Sequence, residues 1–120
     1  MKKVVWALQV LLAIAFAGAG SAKLMTPKAE LEQNMAWATD FSETQIRAIG
    51  AAEVAGAIGL IFPAALGVVP VLTPAAAAAL AVLMAGAAMT HLQRGEPPFA
   101  PIVLGALAAL VAFLRFRPRQ

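Results

Sequence analysis

Residues 4–22 carry no charged side chain, and as a helix this run is about 28 Å long, close to the roughly 30 Å hydrocarbon core of a bilayer. Three more apolar stretches follow, each framed by helix start and stop signals. The chain is therefore predicted to cross a membrane four times, over residues 4–22, 43–62, 74–92 and 99–115. The second span opens at Ser42, where Gln45 completes a capping box and Phe41 with Ile46 stands at hydrophobic-staple spacing; Pro63 is expected to end it. Gly67 and Pro70 mark residues 64–72 as a short uncharged connection at headgroup level. Thr73 as N-cap and Pro74 at the first helical position open the third span, which passes Met84 and Met89 to His91 and closes near Gly95. Pro97, Pro98 and Pro101 introduce the fourth, which stops at Arg115 and Pro118.

Composition agrees. Hydrophobic residues make up 62% of the chain and charged ones 12%, half the roughly 25% of soluble domains. The fold class that follows is an all-α membrane protein, one domain over residues 1–120, built as a four-transmembrane-helix bundle. The one sizeable polar segment, residues 23–45, is expected to lie on the membrane surface. Within it Thr26 and Pro27 begin a short interfacial helix with Leu31 and Met35 on one side, and Trp37, like Trp6 in the first span, reads as an interface anchor.

A competing reading of the start makes Met1-Lys2-Lys3 the basic region of a signal peptide, with Gly20-Ser21-Ala22 as the cleavage site. The apolar run is long for that role, and its removal would leave three spans with an unpaired packing face. With four spans both termini share one side, where Lys2, Lys3, Arg115, Arg117 and Arg119 occur without acids. The other side mixes Lys23, Lys28, Arg47 and Arg94 with Glu30, Glu32, Asp40, Glu43 and Glu96. The positive-inside rule then points to cytoplasmic termini in the cytoplasmic membrane. Scattered Lys and Arg fit this orientation and anionic headgroups better than nucleic acid.

Glu53 is the most informative residue: it lies about two turns, ~9 Å, into the second span, where a bare carboxylate is costly. Gly50, Gly56 and Gly59 flank it at helical spacing and offer a thin face for another helix, so Glu53 is expected to point into the bundle. The end of span one, the start of span two and the end of span three meet the same leaflet, which gathers Lys23, Glu53 and His91. Side chains lean toward the helix N-terminus, so Glu53 and His91, on antiparallel helices, are expected to converge and to be able to pass a proton. The plainer alternatives are a structural Glu53–Lys23 pair and an interfacial cap for His91. Gln9 and Thr90 are candidates for hydrogen bonds between helices, and the methionines for packing.

The absences exclude much. Without Cys there are no disulfides, thiolate metal sites or dithiol relays, and one His cannot ligate a haem from both sides. No phosphate loop, carboxylate-rich metal site or Ser/His/Asp set is present, so neither a metal nor an intrinsic cofactor is expected, and redox chemistry would need a borrowed centre such as a quinone.

Several of these residues together resemble the DoxX-like family of small bacterial membrane proteins. They are Gly20-Ser21-Ala22-Lys23-Leu24, Trp37, the run Ile46 to Glu53, then Gly56, Gly59-Leu60 and Pro63, and His91 before Arg94-Gly95-Glu96. The resemblance spans nearly the whole chain, and the Gly-x-x-Glu-x-x-Gly-x-x-Gly-Leu-x-x-Pro stretch is its most specific part. It implies a four-helix membrane bundle and kinship with subunits tied to quinone-linked sulfur oxidation and oxidative-stress complexes.

The preferred functional expectation is a membrane subunit, not an enzyme on its own. It would hold a hydrophobic small molecule, of quinone or isoprenoid class, near Glu53, His91 and Lys23, alone, as a homo-oligomer or beside a redox protein partner. One rival is a proton-coupled small exporter using Glu53; another is a structural scaffold recruiting a soluble partner through residues 23–45.

Overall fold

The computed structural model describes residues 2–116; Met1 of the basic N-terminus and Arg117, Pro118 and Arg119 of the basic C-terminus lie outside the described residues. Four long helices form: α1 (Lys2–Met25), α3 (Glu43–Leu66), α4 (Leu72–Gln93) and α5 (Phe99–Phe116). Between the first two lie the short α2 (Lys28–Asn34) and a 3₁₀ helix (Ala36–Asp40). All four long helices are long and apolar enough to cross a membrane, and less than a third of each apolar window is buried within the protein. Leu11 and Val82, 65% and 73% exposed, show where the rest faces. Apolar surface on that scale needs lipid as its solvent, and the chain is an integral membrane protein.

The packing order is α1 on α3, α3 on α4 and α4 on α5, whereas α1 and α5 meet only briefly. Leu12, Phe16, Leu60, Leu80, Met84 and Val111 form the apolar core. The short helices add a satellite cluster, in which Leu31 and Ala38 are buried against Ile46 of α3. Ser42 caps α3 with the expected capping box: its hydroxyl accepts from Gln45 N–H while the Gln45 side chain accepts from Ser42 N–H. The short helix expected after Thr26 and Pro27 is present as α2, with Pro27 at the N-cap and no side-chain cap from Thr26.

Two boundaries differ from expectation, for one shared reason. α3 does not stop at Pro63 but continues to Leu66, where Gly67 closes it in the left-handed conformation at φ 68°. Proline removes an N–H donor and crowds the preceding turn, which leaves backbone groups around it without helical partners. Here they are satisfied from neighbouring helices. The Thr73 hydroxyl donates to Gly59 C=O at 2.8 Å and accepts from Ala64 N–H at 3.1 Å. Gln9 of α1 donates from Nε2 to Leu60 C=O, the carbonyl one helical turn before Ala64, at 2.6 Å. Thr73 is consequently not the N-cap of α4: that position is Val71, and α4 begins at Leu72 with Pro74 still in its first turn, where no donor is missed. Both Thr73 and Gln9 are fully buried.

Thr73→Val keeps the shape of the side chain and removes both bonds. The expected result is a loss of about 1–3 kcal/mol in detergent unfolding, with Thr73→Ser close to wild type. A valine variant as stable as the parent would contradict this account of how α3 passes Pro63.

Candidate functional site

The site begins with two glycines. A Cβ on Gly20 of α1 would stand 2.6 Å from Gly50 O, and one on Gly50 of α3 would stand 2.8 Å from Gly20 O, so the two backbones are in direct contact. Lys23 and Glu53 each lie three residues beyond one of these glycines, and on antiparallel helices their side chains lean back toward the crossing. They meet there: Lys23 Nζ is 2.8 Å from Glu53 Oε1, with Glu53 only 2% exposed. The approach is an ion pair by distance but does not lie along a hydrogen-bonding direction, so the buried Oε1 retains capacity to accept a hydrogen bond.

The glycine face divides between two neighbours. Gly50 faces α1, whereas Gly56 and Gly59 face Leu80 and Ala76 of α4. At about 3.6 residues per turn, a strict three-residue spacing drifts around the helix, and the nine residues from Gly50 to Gly59 make two and a half turns. Glu53, between them, points into the bundle.

Arg47 fixes the end of α1. Its Nη1 donates to Lys23 C=O at 2.5 Å and to Thr26 C=O at 2.7 Å, and Nη2 lies 3.8 Å from Glu43. A cation on the last carbonyls of a helix also complements the helix dipole. The Lys23 ammonium in turn stands 5.6 Å from the ring centre of Trp37, which meets Phe41 edge to face at the same centroid distance.

Beneath these two rings lies a cavity of about 370 Å³. Ala19 and Lys23 come from α1, Ile49 and Glu53 from α3, Leu83, Met84, Thr90 and His91 from α4, and Pro101 and Leu104 from α5. It contains residues of both α1 and α5, the pair that packs least elsewhere in the ring of helices. All three residues singled out in the sequence, Lys23, Glu53 and His91, line it together. Trp37 also lines it, so this anchor candidate belongs to the cavity wall.

His91 and Glu53 share the cavity without a hydrogen bond or ion pair between them; each has another partner. His91 Nδ1 lies 3.0 Å from Glu96 Oε1, and Glu96 Oε2 accepts from Arg94 Nε at 3.3 Å. Arg94 Nη1 also binds Asp40, at the end of the 3₁₀ helix. Hydrogen bonds from Arg94 to Asp40 first, and to Glu96 second, raise the guanidinium ionisation above its ordinary value. This chain of groups ties the α4–α5 turn, where Gly95 adopts φ 73°, to the segment carrying Trp37 and Phe41.

Trp6 sits at the other end of the molecule, 5.1 Å beneath the Arg115 guanidinium, whose Nε donates to Gln9 Oε1 at 2.7 Å. Gln9 thus joins α1 to both α3 and α5, a larger role than the sequence alone assigns it. Among the described residues Thr90 makes no bond between helices; its hydroxyl donates to Gly86 C=O one turn back. Among the described residues no group of three His, Asp or Glu side chains could hold a metal ion.

Removing one partner of a buried pair strands the other charge, so Lys23→Met and Glu53→Leu should each lower unfolding stability by about 3 kcal/mol or more. The double variant should recover most of that loss, because neither charge remains buried. Additive losses in the double-mutant cycle would show that the two residues are not coupled.

Comparison with known proteins finds the DoxX-like family profile matching residues 7–114, from the first helix into the last. Neither the curated proteins nor the solved structures yield a match. With nearly all of its length covered, including the Gly50–Glu53 crossing and the His91 turn, this chain belongs to the DoxX-like family.

Proposed function

We propose that this protein is a membrane subunit that holds one hydrophobic small molecule, of quinone or isoprenoid class, in the cavity beneath Trp37 and serves beside a redox partner. One observation carries the reading: the 370 Å³ cavity is walled mainly by Ala, Leu, Met and aromatic side chains, with Lys23, Glu53, Thr90, His91 and the Trp37 indole N–H as its polar groups. Small-molecule sites share this composition and span about 300–1,000 Å³, enough here for a ring or a short isoprenoid unit with its chain extending into lipid. Family membership supports the membrane setting. In this reading the chain sits in the cytoplasmic membrane with its termini on the cytoplasmic side. The fixed counter-charge of Lys23 on Glu53 favours holding over transport, since an exporter needs a carboxylate that exchanges protons freely in each cycle.

The test uses the two tryptophans, which lie at opposite ends of the bundle. In a Trp6→Phe background in lipid nanodiscs, Trp37 emission reports on the cavity alone. Titration with decylubiquinone and with farnesol should give a saturable change for at least one of them, and native mass spectrometry of protein extracted with its lipids should find a bound apolar molecule. No saturable response to either compound, together with no bound mass, would remove this reading.

A further inference from the structure

One buried acceptor in the cavity wall, Glu53 Oε1, lacks a directed hydrogen bond, and it defines the head group that fits. Charge comes first. Lys23 is matched by Glu53 at 2.8 Å, so the Lys and Glu of the lining leave no surplus of either sign. An anionic head group would have to compete with Glu53 for the one ammonium, and a cationic one would have to compete with Lys23 for the one buried carboxylate. In a low-dielectric cavity either exchange leaves a charge uncompensated.

Donors and acceptors come next. The Thr90 hydroxyl spends its proton on Gly86 C=O, leaving only oxygen lone pairs for the cavity. His91 Nδ1 lies 3.0 Å from Glu96 Oε1, and Nε2 has no protein partner among the described residues. Glu53 Oε1 is buried without a directed hydrogen bond. The donors are the Lys23 ammonium, held between Glu53 and the face of Trp37, and the Trp37 indole N–H. Among these groups the Thr90 oxygen and the buried Glu53 Oε1 are acceptors, and the buried one lacks a directed donor.

We propose that the cavity selects an uncharged amphiphile whose head presents a hydroxyl as hydrogen-bond donor, an alcohol, phenol or hydroquinone, over the matching ether or carbonyl compound. This rests on the small-molecule reading above and narrows it from a class of hydrophobic molecules to one hydrogen-bonding form. The physical basis is an asymmetry of cost. The buried Glu53 Oε1 gains from a donor, whereas a head that only accepts leaves it unpaired.

A set of probes with near-identical tails separates the possibilities in the Trp6→Phe protein: 4-octylphenol, 4-octylanisole, nonanoate and octylamine, each titrated in nanodiscs of neutral lipid while Trp37 emission is followed. The phenol is expected to bind at least about tenfold more tightly than the anisole, the equivalent of one net hydrogen bond, and more tightly than either ion. Lys23→Met/Glu53→Leu should bring the phenol-to-anisole ratio toward one while both still bind, because the apolar walls persist. Equal affinity for phenol and anisole in the parent protein overturns the inference, as does tighter binding of nonanoate or octylamine, and in each case the small-molecule reading survives. Absence of a saturable response to all four overturns both. The parent comparison needs no substitution at the site, so a variant that fails to fold does not blunt the test.

Discussion

Everything at the polar end of this bundle depends on the contact between Gly20 and Gly50. Only where neither residue has a Cβ can α1 and α3 touch backbone to backbone, and only then can Lys23 and Glu53, one turn further along each helix, reach the same point. Neither charge is tolerable alone inside a membrane. Before α1 and α3 associate, each would have to be neutralised or drawn to an interface; after association they neutralise each other. The pair thus selects the register of the two helices more than it adds stability, since desolvation offsets most of the attraction between buried ions.

The opposite end follows the same logic with neutral groups. Pro63 breaks the hydrogen-bond ladder of α3 in the apolar half of the bundle, where no water can make good the loss. Thr73 from α4 and Gln9 from α1 answer it, and Gln9 is held in turn by Arg115 from α5. A defect in one helix therefore becomes the point at which the other three attach. The molecule has two polar knots, one ionic and one built on a proline, with the apolar core of Leu12, Phe16, Leu80 and Val111 between them.

Much of this was legible in the sequence because membranes impose strict rules. Span number follows from charge-free length, and the α3 start and the close of α4 follow from the Ser42–Gln45 box and Gly95. Lys23, Glu53 and His91 could be assembled at one leaflet by topology alone. What was not legible lies in contacts that no local pattern encodes. Pro63 and Thr73 each carry a strong local signal, stop and cap, and both signals are overridden because the orphaned Gly59 carbonyl, half-buried beside α4, needs a donor more than the start of α4 needs a cap. Glu96 stands five residues from His91, past a glycine in the left-handed conformation that folds the chain back, so helical spacing could not pair them. Asp40 and Arg94 are 54 positions apart and meet only because the 3₁₀ segment folds over the cavity. Arg47 was visible as a charge at the membrane border, but its grip on the end of α1 appears only once α1 and α3 cross.

The two sides of the cavity differ in how firmly they are held. Its walls are helices fixed by glycine contacts and a buried ion pair. Its cover, Trp37 and Phe41, rides on short helices held to the α4–α5 turn through Arg94 and Asp40, whose side chain is 52% exposed. Exposed ion pairs are weak and are screened by salt, whereas the Lys23–Glu53 pair is shielded from both water and ions. Packing of Leu31 and Ala38 against Ile46 therefore supplies most of what holds the cover down. The result is a rigid polar floor under an adaptable aromatic cover, in which the charges keep fixed positions while the covering rings have more freedom to adjust. That division follows from burial alone: the same chemistry, Lys or Arg with Asp or Glu, is a structural constraint in the bundle and a soft tether at its surface.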